Sequence, residues 1–122
     1  MPELIPDAEL IRDYASAARD RGRALEAADP NRANAHFDAL TSIYRELKRR
    51  GRQSLQGLAE LGVDPDPYVR AAAGWALIEV DPKQARQVLE QVSKLPGLSG
   101  FSAQTTLDEW DKGRLTFPAA AE

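Results

Sequence analysis

Asp-Pro steps divide this chain into helices before composition is considered. Proline has no amide hydrogen and a φ suited to the first helical position, and an aspartate before it can cap the free amides that follow. Asp29-Pro30 and Asp81-Pro82 therefore read as helix starts, and the run Asp64 to Pro67 reads as a turn whose last proline can open another helix. Gly51, Gly62 and Gly113 follow apolar-periodic stretches and read as stops.

Between these marks the apolar residues recur at helical spacing. Leu10, Ile11, Tyr14, Ala18 and Leu25 form one stripe, and Gly22 on that stripe allows a neighbouring helix to come close. Ala33, Phe37, Leu40, Tyr44 and Leu47 form a second stripe, ending in Lys48, Arg49 and Arg50 where cations complement the helix dipole. Leu55, Leu58 and Leu61 mark a shorter helix that Gly62 ends. The segment Tyr68 to Val80 is apolar nearly all round, which predicts a central helix packed on more than one side. Ala85, Val88, Leu89, Val92 and Leu95 predict the next helix, Pro96 to Gly100 a link, and Ala103, Leu107 and Trp110 the inner stripe of a last helix over Ser102 to Lys112. No stretch alternates with period two, so the fold class is all-α: about six antiparallel helices in one domain over 1–117, with 118–122 a frayed tail.

Composition narrows the chemistry. The 122 residues include no cysteine and one histidine, His36, which excludes thiolate metal sites, cysteine nucleophiles and disulfides and leaves little for a histidine-based centre. No phosphate-binding glycine loop or serine-nucleophile motif occurs. The expectation is a noncatalytic protein with no cofactor and no metal. No apolar run reaches the roughly 20 residues of a membrane helix and no secretory signal is visible, which points to the cytoplasm and to no membrane association.

Charge is unevenly divided. Up to Gly62 there are ten basic and ten acidic residues; after it there are six and nine, so the net charge of -3 resides in the second part. The basic run contains Arg45, Arg49 and Arg52, which read either as a solvated helix end or as a patch for an acidic partner or phosphates, and Glu46 can pair with Arg50. Asp108, Glu109 and Asp111 read either as solvated surface or as a dock for a basic protein. Trp110 reads as a core anchor, while Trp75 lies either between layers or in an exposed groove.

From Leu55 to Leu95 the chain resembles the HEAT-like, or armadillo-like, helical repeat: a turn with Asp64 and Asp66, then Val69-Arg70, Ala72-Ala73 and Ala76-Leu77. That resemblance implies a curved stack of helices, with Arg70 joined to Asp64 or Asp66. Asn34 to Leu40, Tyr44 to Lys48, and Gly100 to Ala103 followed by Thr106-Leu107 and Glu109-Trp110 are similar to a family of short bacterial proteins of unknown function. Small helical proteins of this kind include immunity proteins that mask bacterial toxins. The resulting expectation is a protein-binding module, in its most specific form an immunity protein. The alternatives are a nucleic-acid-binding HEAT-like module using the basic helix end, and a self-associating helical scaffold.

Overall fold

The computed structural model describes residues 4–122; the first three residues of the expected domain lie outside the described residues. Its helices are α1 (Asp7–Glu26), α2 (Pro30–Arg50), α3 (Arg52–Gln56), α4 (Pro67–Leu77), α5 (Pro82–Ser93) and α6 (Gly97–Asp111), with a 3₁₀ segment at Gly57–Val63. No strand occurs among the described residues, and no helix among them is long and apolar enough to cross a membrane.

The Asp-Pro steps cap three of these helices. Asp29 accepts a hydrogen bond from the Arg32 amide at 3.2 Å, Asp66 from that of Tyr68 at 2.8 Å, and Asp81 from that of Gln84 at 3.2 Å. Gly51 closes α2 with φ 121°, a region that disfavours side chains.

Two apolar clusters share α4. One joins Leu10, Ile11 and Tyr14 of α1 with Leu40, Tyr44 and Leu47 of α2, Leu58 of the 3₁₀ segment, and Val69, Ala73 and Ala76 of α4. The other joins Leu77 with Ala85, Leu89 and Val92 of α5 and Ala103 and Leu107 of α6. Serving both is why α4 is apolar nearly all round, and its small residues set the spacing. A Cβ on Gly74 would lie 2.8 Å from Leu89 Cγ, and one on Gly22 of α1 would strike the Tyr68 ring of α4.

Several boundaries differ from expectation, each for a local reason. The short helix tightens into 3₁₀ after Gln56 and runs through Gly62 to Val63. The link Pro96 to Gly100 is mostly helix: α6 begins at Gly97, and Gly100 lies so near the Leu95 carbonyl that only a hydrogen fits. Leu95, past the end of α5, is left on the surface at 37% exposure. Phe37 is also on the surface, at 41% exposure.

The C-terminal segment packs on α4 through Phe117, and residues 118–122, expected to fray, are tied to α2. Phe117 stacks 5.6 Å from Trp75, Lys48 Nζ donates to the Pro118 carbonyl at 3.1 Å, Arg45 Nε donates to the Ala119 carbonyl at 3.0 Å, and the Ala121 amide donates to the Arg45 carbonyl at 3.0 Å.

The Arg70 pairing implied by the repeat resemblance is absent, because the aspartates have other partners. Asp64 lies 3.7 Å from Arg19 and accepts from the Asp66 amide at 2.9 Å, and Asp66 caps α4. Arg70 Nε is buried without a hydrogen-bond partner.

Candidate functional site

An open cleft of about 220 Å³ lies between α1 and α2 on one side and α6 on the other, with α4 as its floor. Leu40, Ala71, Ala72, Trp75 and Leu115 make its apolar surface. Tyr14 holds that floor to α1 by donating its hydroxyl hydrogen to the Ala72 carbonyl at 2.6 Å. Tyr68 closes one end, its ring seated on Gly22 and its hydroxyl donating to Glu26 at 2.6 Å. Burial and that carboxylate push the Tyr68 phenol well above its ordinary value, so it remains a neutral donor.

Arg21 is the cation of this cleft. It sits at position i+7 from Tyr14, on the inner stripe of α1, and its guanidinium lies 5.1 Å from the centre of the Phe37 ring. Arg21 makes no hydrogen bond or ion pair with the described residues, whereas Arg19 and Arg23 on the same helix reach Asp64 and Asp20. Burial lowers its affinity for a proton, and the Tyr14 and Tyr68 rings beside it carry no compensating charge at neutral pH. On the opposite wall α6 presents Ser102, Thr105, Thr106 and Glu109. Thr105 and Thr106 donate to the Phe101 and Ser102 carbonyls of their own helix at 2.9 and 3.2 Å, while the Ser102 hydroxyl has no partner among the described residues.

Along the same helix, Leu98 and Phe101 precede Thr105 at spacings that place all three on one face. Leu98 is 45% and Phe101 72% exposed. With Phe37 they provide apolar surface that the folded chain does not cover.

The residues singled out from the sequence do not converge on one site. Trp75 combines both expectations: it lies between the Tyr44 ring, 4.8 Å away, and the Phe117 ring, and its free side lines the cleft. Glu109 lines the cleft too, with Arg114 4.0 Å from its carboxylate. Asp108 accepts from Gln104 at 2.9 Å and Asp111 from Arg86 at 2.6 Å, so the acidic group is partly engaged within the chain. Trp110 is a half-buried flank of the second cluster, covered by the Arg86 guanidinium at 4.4 Å, rather than a fully buried anchor.

The cations of the basic run are engaged with groups of the chain itself. Arg49 holds Glu46 through two hydrogen bonds of 2.8 and 2.6 Å. Arg50 reaches Glu46 at 2.8 Å, as expected, and also Asp7 at 2.7 Å. Arg45 and Arg52 donate to the Ala119 and Val80 carbonyls at 3.0 and 2.5 Å. Lys48 and Tyr44 share Glu79, at 3.0 and 2.7 Å. These cations join the end of α2 to the start of α1, the residues just after α4 and the C-terminal segment. Of the two readings of this run, the patch for an acidic partner or phosphates finds most of its cations already engaged within the chain.

Among the described residues no group of histidine and carboxylate side chains is placed to hold a metal ion. A family model described as a domain of unknown function (DUF2019) matches residues 8–111 of the chain. The chain belongs to the DUF2019 family. The match runs from the first turn of α1 to the last residue of α6 and so includes every helical wall of the cleft. This DUF2019 chain also shares its fold with the crystal structure of the protein RPA1889 from Rhodopseudomonas palustris CGA009: 25% identity and a TM-score of 0.85, over 93% of this chain and 95% of that one. No curated protein matches it.

Arg21, Phe37, Tyr68, Ser102 and Leu115 were not legible as site residues. The available signal was Arg21 itself, a charge on an otherwise apolar stripe.

Proposed function

We propose that this DUF2019 chain is a noncatalytic protein-binding module acting in the cytoplasm, a HEAT-like curved helical stack whose cleft seats one anchor side chain of a partner. Masking a toxin as an immunity protein is the most specific form of this reading. The observation that carries it is Arg21, without a carboxylate partner among the described residues, at the mouth of an apolar cleft flanked by exposed Phe37 and Phe101. Aromatic and arginine side chains around a small pocket are the usual composition of an interface hot spot. Size supports the same reading: drug-sized ligands occupy roughly 300–1,000 Å³, and the present cavity suits a single side chain. A nucleic-acid partner is less favoured because the cations at the C-terminal end of α2, Arg45 to Arg50, would have to leave carboxylates and carbonyls to reach phosphates.

A photo-crosslinking residue in place of Phe101, expressed in the native host, tests the reading. We expect one discrete protein adduct that the same residue in place of Lys83, on α5, does not form. Its identity is then checked by reconstitution from purified components. A self-adduct would support the scaffold alternative, and adducts indistinguishable between the two positions would overturn the proposal.

A further inference from the structure

We propose that the cleft receives the C-terminal residue of the partner chain, its apolar side chain on the floor around Trp75 and its α-carboxylate on the Arg21 guanidinium. This rests on the protein-binding reading above and adds the chemistry of what is bound.

The charge argument comes first. Arg19, Arg23, Lys48, Arg49 and Arg50 each reach a carboxylate of the chain, and the other cations of α1 and α2 that reach none among the described residues, Arg12, Arg32 and Arg45, are exposed to water. Arg21 reaches none among the described residues, although it is half-buried and walls an apolar cavity. The two phenols beside it are already committed, Tyr14 to the Ala72 carbonyl and Tyr68 to Glu26. Glu109 across the cleft has Arg114 as its neighbour. A partly desolvated guanidinium without an anion is a standing electrostatic deficit, which an incoming carboxylate relieves with a charge-assisted bond. The Ser102 hydroxyl, free of any protein partner among the described residues, offers a further donor on the facing wall.

Geometry then selects a chain terminus over an internal acid. The cavity admits about one side chain, and Arg21 and the Trp75 floor line the same space. In an extended peptide successive side chains point to opposite faces, and those on the same face are roughly 7 Å apart. An internal Asp or Glu reaching Arg21 therefore directs its apolar neighbour out of the cleft, and its own short stem covers little of the floor. A C-terminal Leu, Ile or Phe carries the carboxylate and the apolar group on one Cα, so a single residue satisfies both.

The test is an amide NMR titration of the full chain with three probes: acetyl-Gly-Gly-Leu as the free acid, the same peptide as its C-terminal amide, and the capped internal acid acetyl-Gly-Leu-Glu-amide. The free acid should shift the Trp75 indole and the amides of Phe37, Ala72 and Thr105, and should bind at least about tenfold more tightly than either other probe. Arg21→Met keeps the unbranched stem and should abolish the preference for acid over amide; Arg21→Lys should retain part of it. Equal binding of acid and amide to the wild-type chain would overturn the proposal without recourse to any variant, as would a preference that survives in Arg21→Met. The Phe101 crosslink reports separately: a protein adduct with indifferent peptides removes only the terminal-carboxylate inference, whereas acid-selective binding without any adduct removes the protein-binding reading.

Discussion

Tyr14 and Ala72, 58 positions apart, are joined by a 2.6 Å hydrogen bond from the phenol of α1 to a backbone carbonyl of α4. A helix carbonyl this far from the helix end is already bonded to an amide one turn on, so the phenol uses its second lone pair and draws α4 against α1 beneath the cleft. Tyr14 is fully buried, and its burial holds the phenol neutral far above the ordinary tyrosine range. Tyr14→Phe should destabilise the fold by about 1–2 kcal/mol, the loss of one buried hydrogen bond without a cavity. Urea unfolding measures this, and an unchanged midpoint would mean that the bond contributes nothing net.

Glycine substitutions separate side-chain from backbone constraints. An Ala at Gly22 meets the Tyr68 side chain at its root, so rotating the ring gives up its bond to Glu26 and still leaves Tyr68 Cβ 3.0 Å away, which a small shift of α1 from α4 must relieve. An overpacking cost of about 1–3 kcal/mol is then partly offset by a helix-propensity gain of about 1 kcal/mol. An Ala at Gly100 meets the Leu95 carbonyl, which cannot rotate away without moving the α5–α6 turn. Gly100→Ala should therefore lower the thermal midpoint by clearly more than Gly22→Ala; the opposite order would contradict this packing.

The acid limb of stability should carry the signature of Glu46. Hydrogen bonds from Arg49 and Arg50 hold its carboxyl down to about 2, against an ordinary value of 4.5. A carboxyl whose pKa is depressed on folding contributes fully above the unfolded value and loses that contribution as pH falls through the folded one. Wild-type stability should thus decline from about pH 4.5 toward pH 2, and Glu46→Gln should be less stable at neutral pH with a shallower decline over that window. Parallel pH profiles for the two proteins would show that the arginines do not stabilise the carboxylate.

Removing residues 117–122 tests the docked C-terminal segment. The deletion takes away the Phe117 ring against Trp75 and the carbonyls that Arg45 and Lys48 hold. It should cost roughly 2–4 kcal/mol, somewhat below a full Phe→Ala core truncation because Phe117 is only half-buried. Trp75 should become more solvated, seen as a red shift in fluorescence relative to a Trp110→Phe background. A frayed tail would instead leave both stability and spectrum unchanged.

Legibility followed the range of the interaction. Asp29, Asp66 and Asp81 cap helices through amides two or three residues away, so those starts could be read directly. The all-round apolar character of α4 foretold its central place, since burial on two sides leaves no polar face. Glu46 with Arg50 was readable for the same reason, being one helical turn apart. The partner-binding residues fared differently. Arg45, Arg49 and Arg52 could be read only as a solvated helix end or a patch, because their actual acceptors are either too close to stand out or too far along the chain to be anticipated. Trp110 and Phe37 sat on apolar stripes, yet a stripe specifies only which side faces inward, and whether another element covers each rung depends on where the neighbouring helices end.

By itself, the sequence determined the helices, their order, the two-sided burial of α4 and the absence of thiol chemistry. All of these follow from local dihedral preferences, short-range capping and composition. Only the tertiary structure decided that Arg45 grips a carbonyl 74 positions away, that Arg19 rather than Arg70 takes Asp64, and that Arg21 faces an apolar cleft with no carboxylate partner among the described residues. The physical reason is that a long cationic side chain has several acceptors within reach at similar energy. Which one it takes is set by the packing of distant elements, and that packing also leaves Arg21 without one among the described residues.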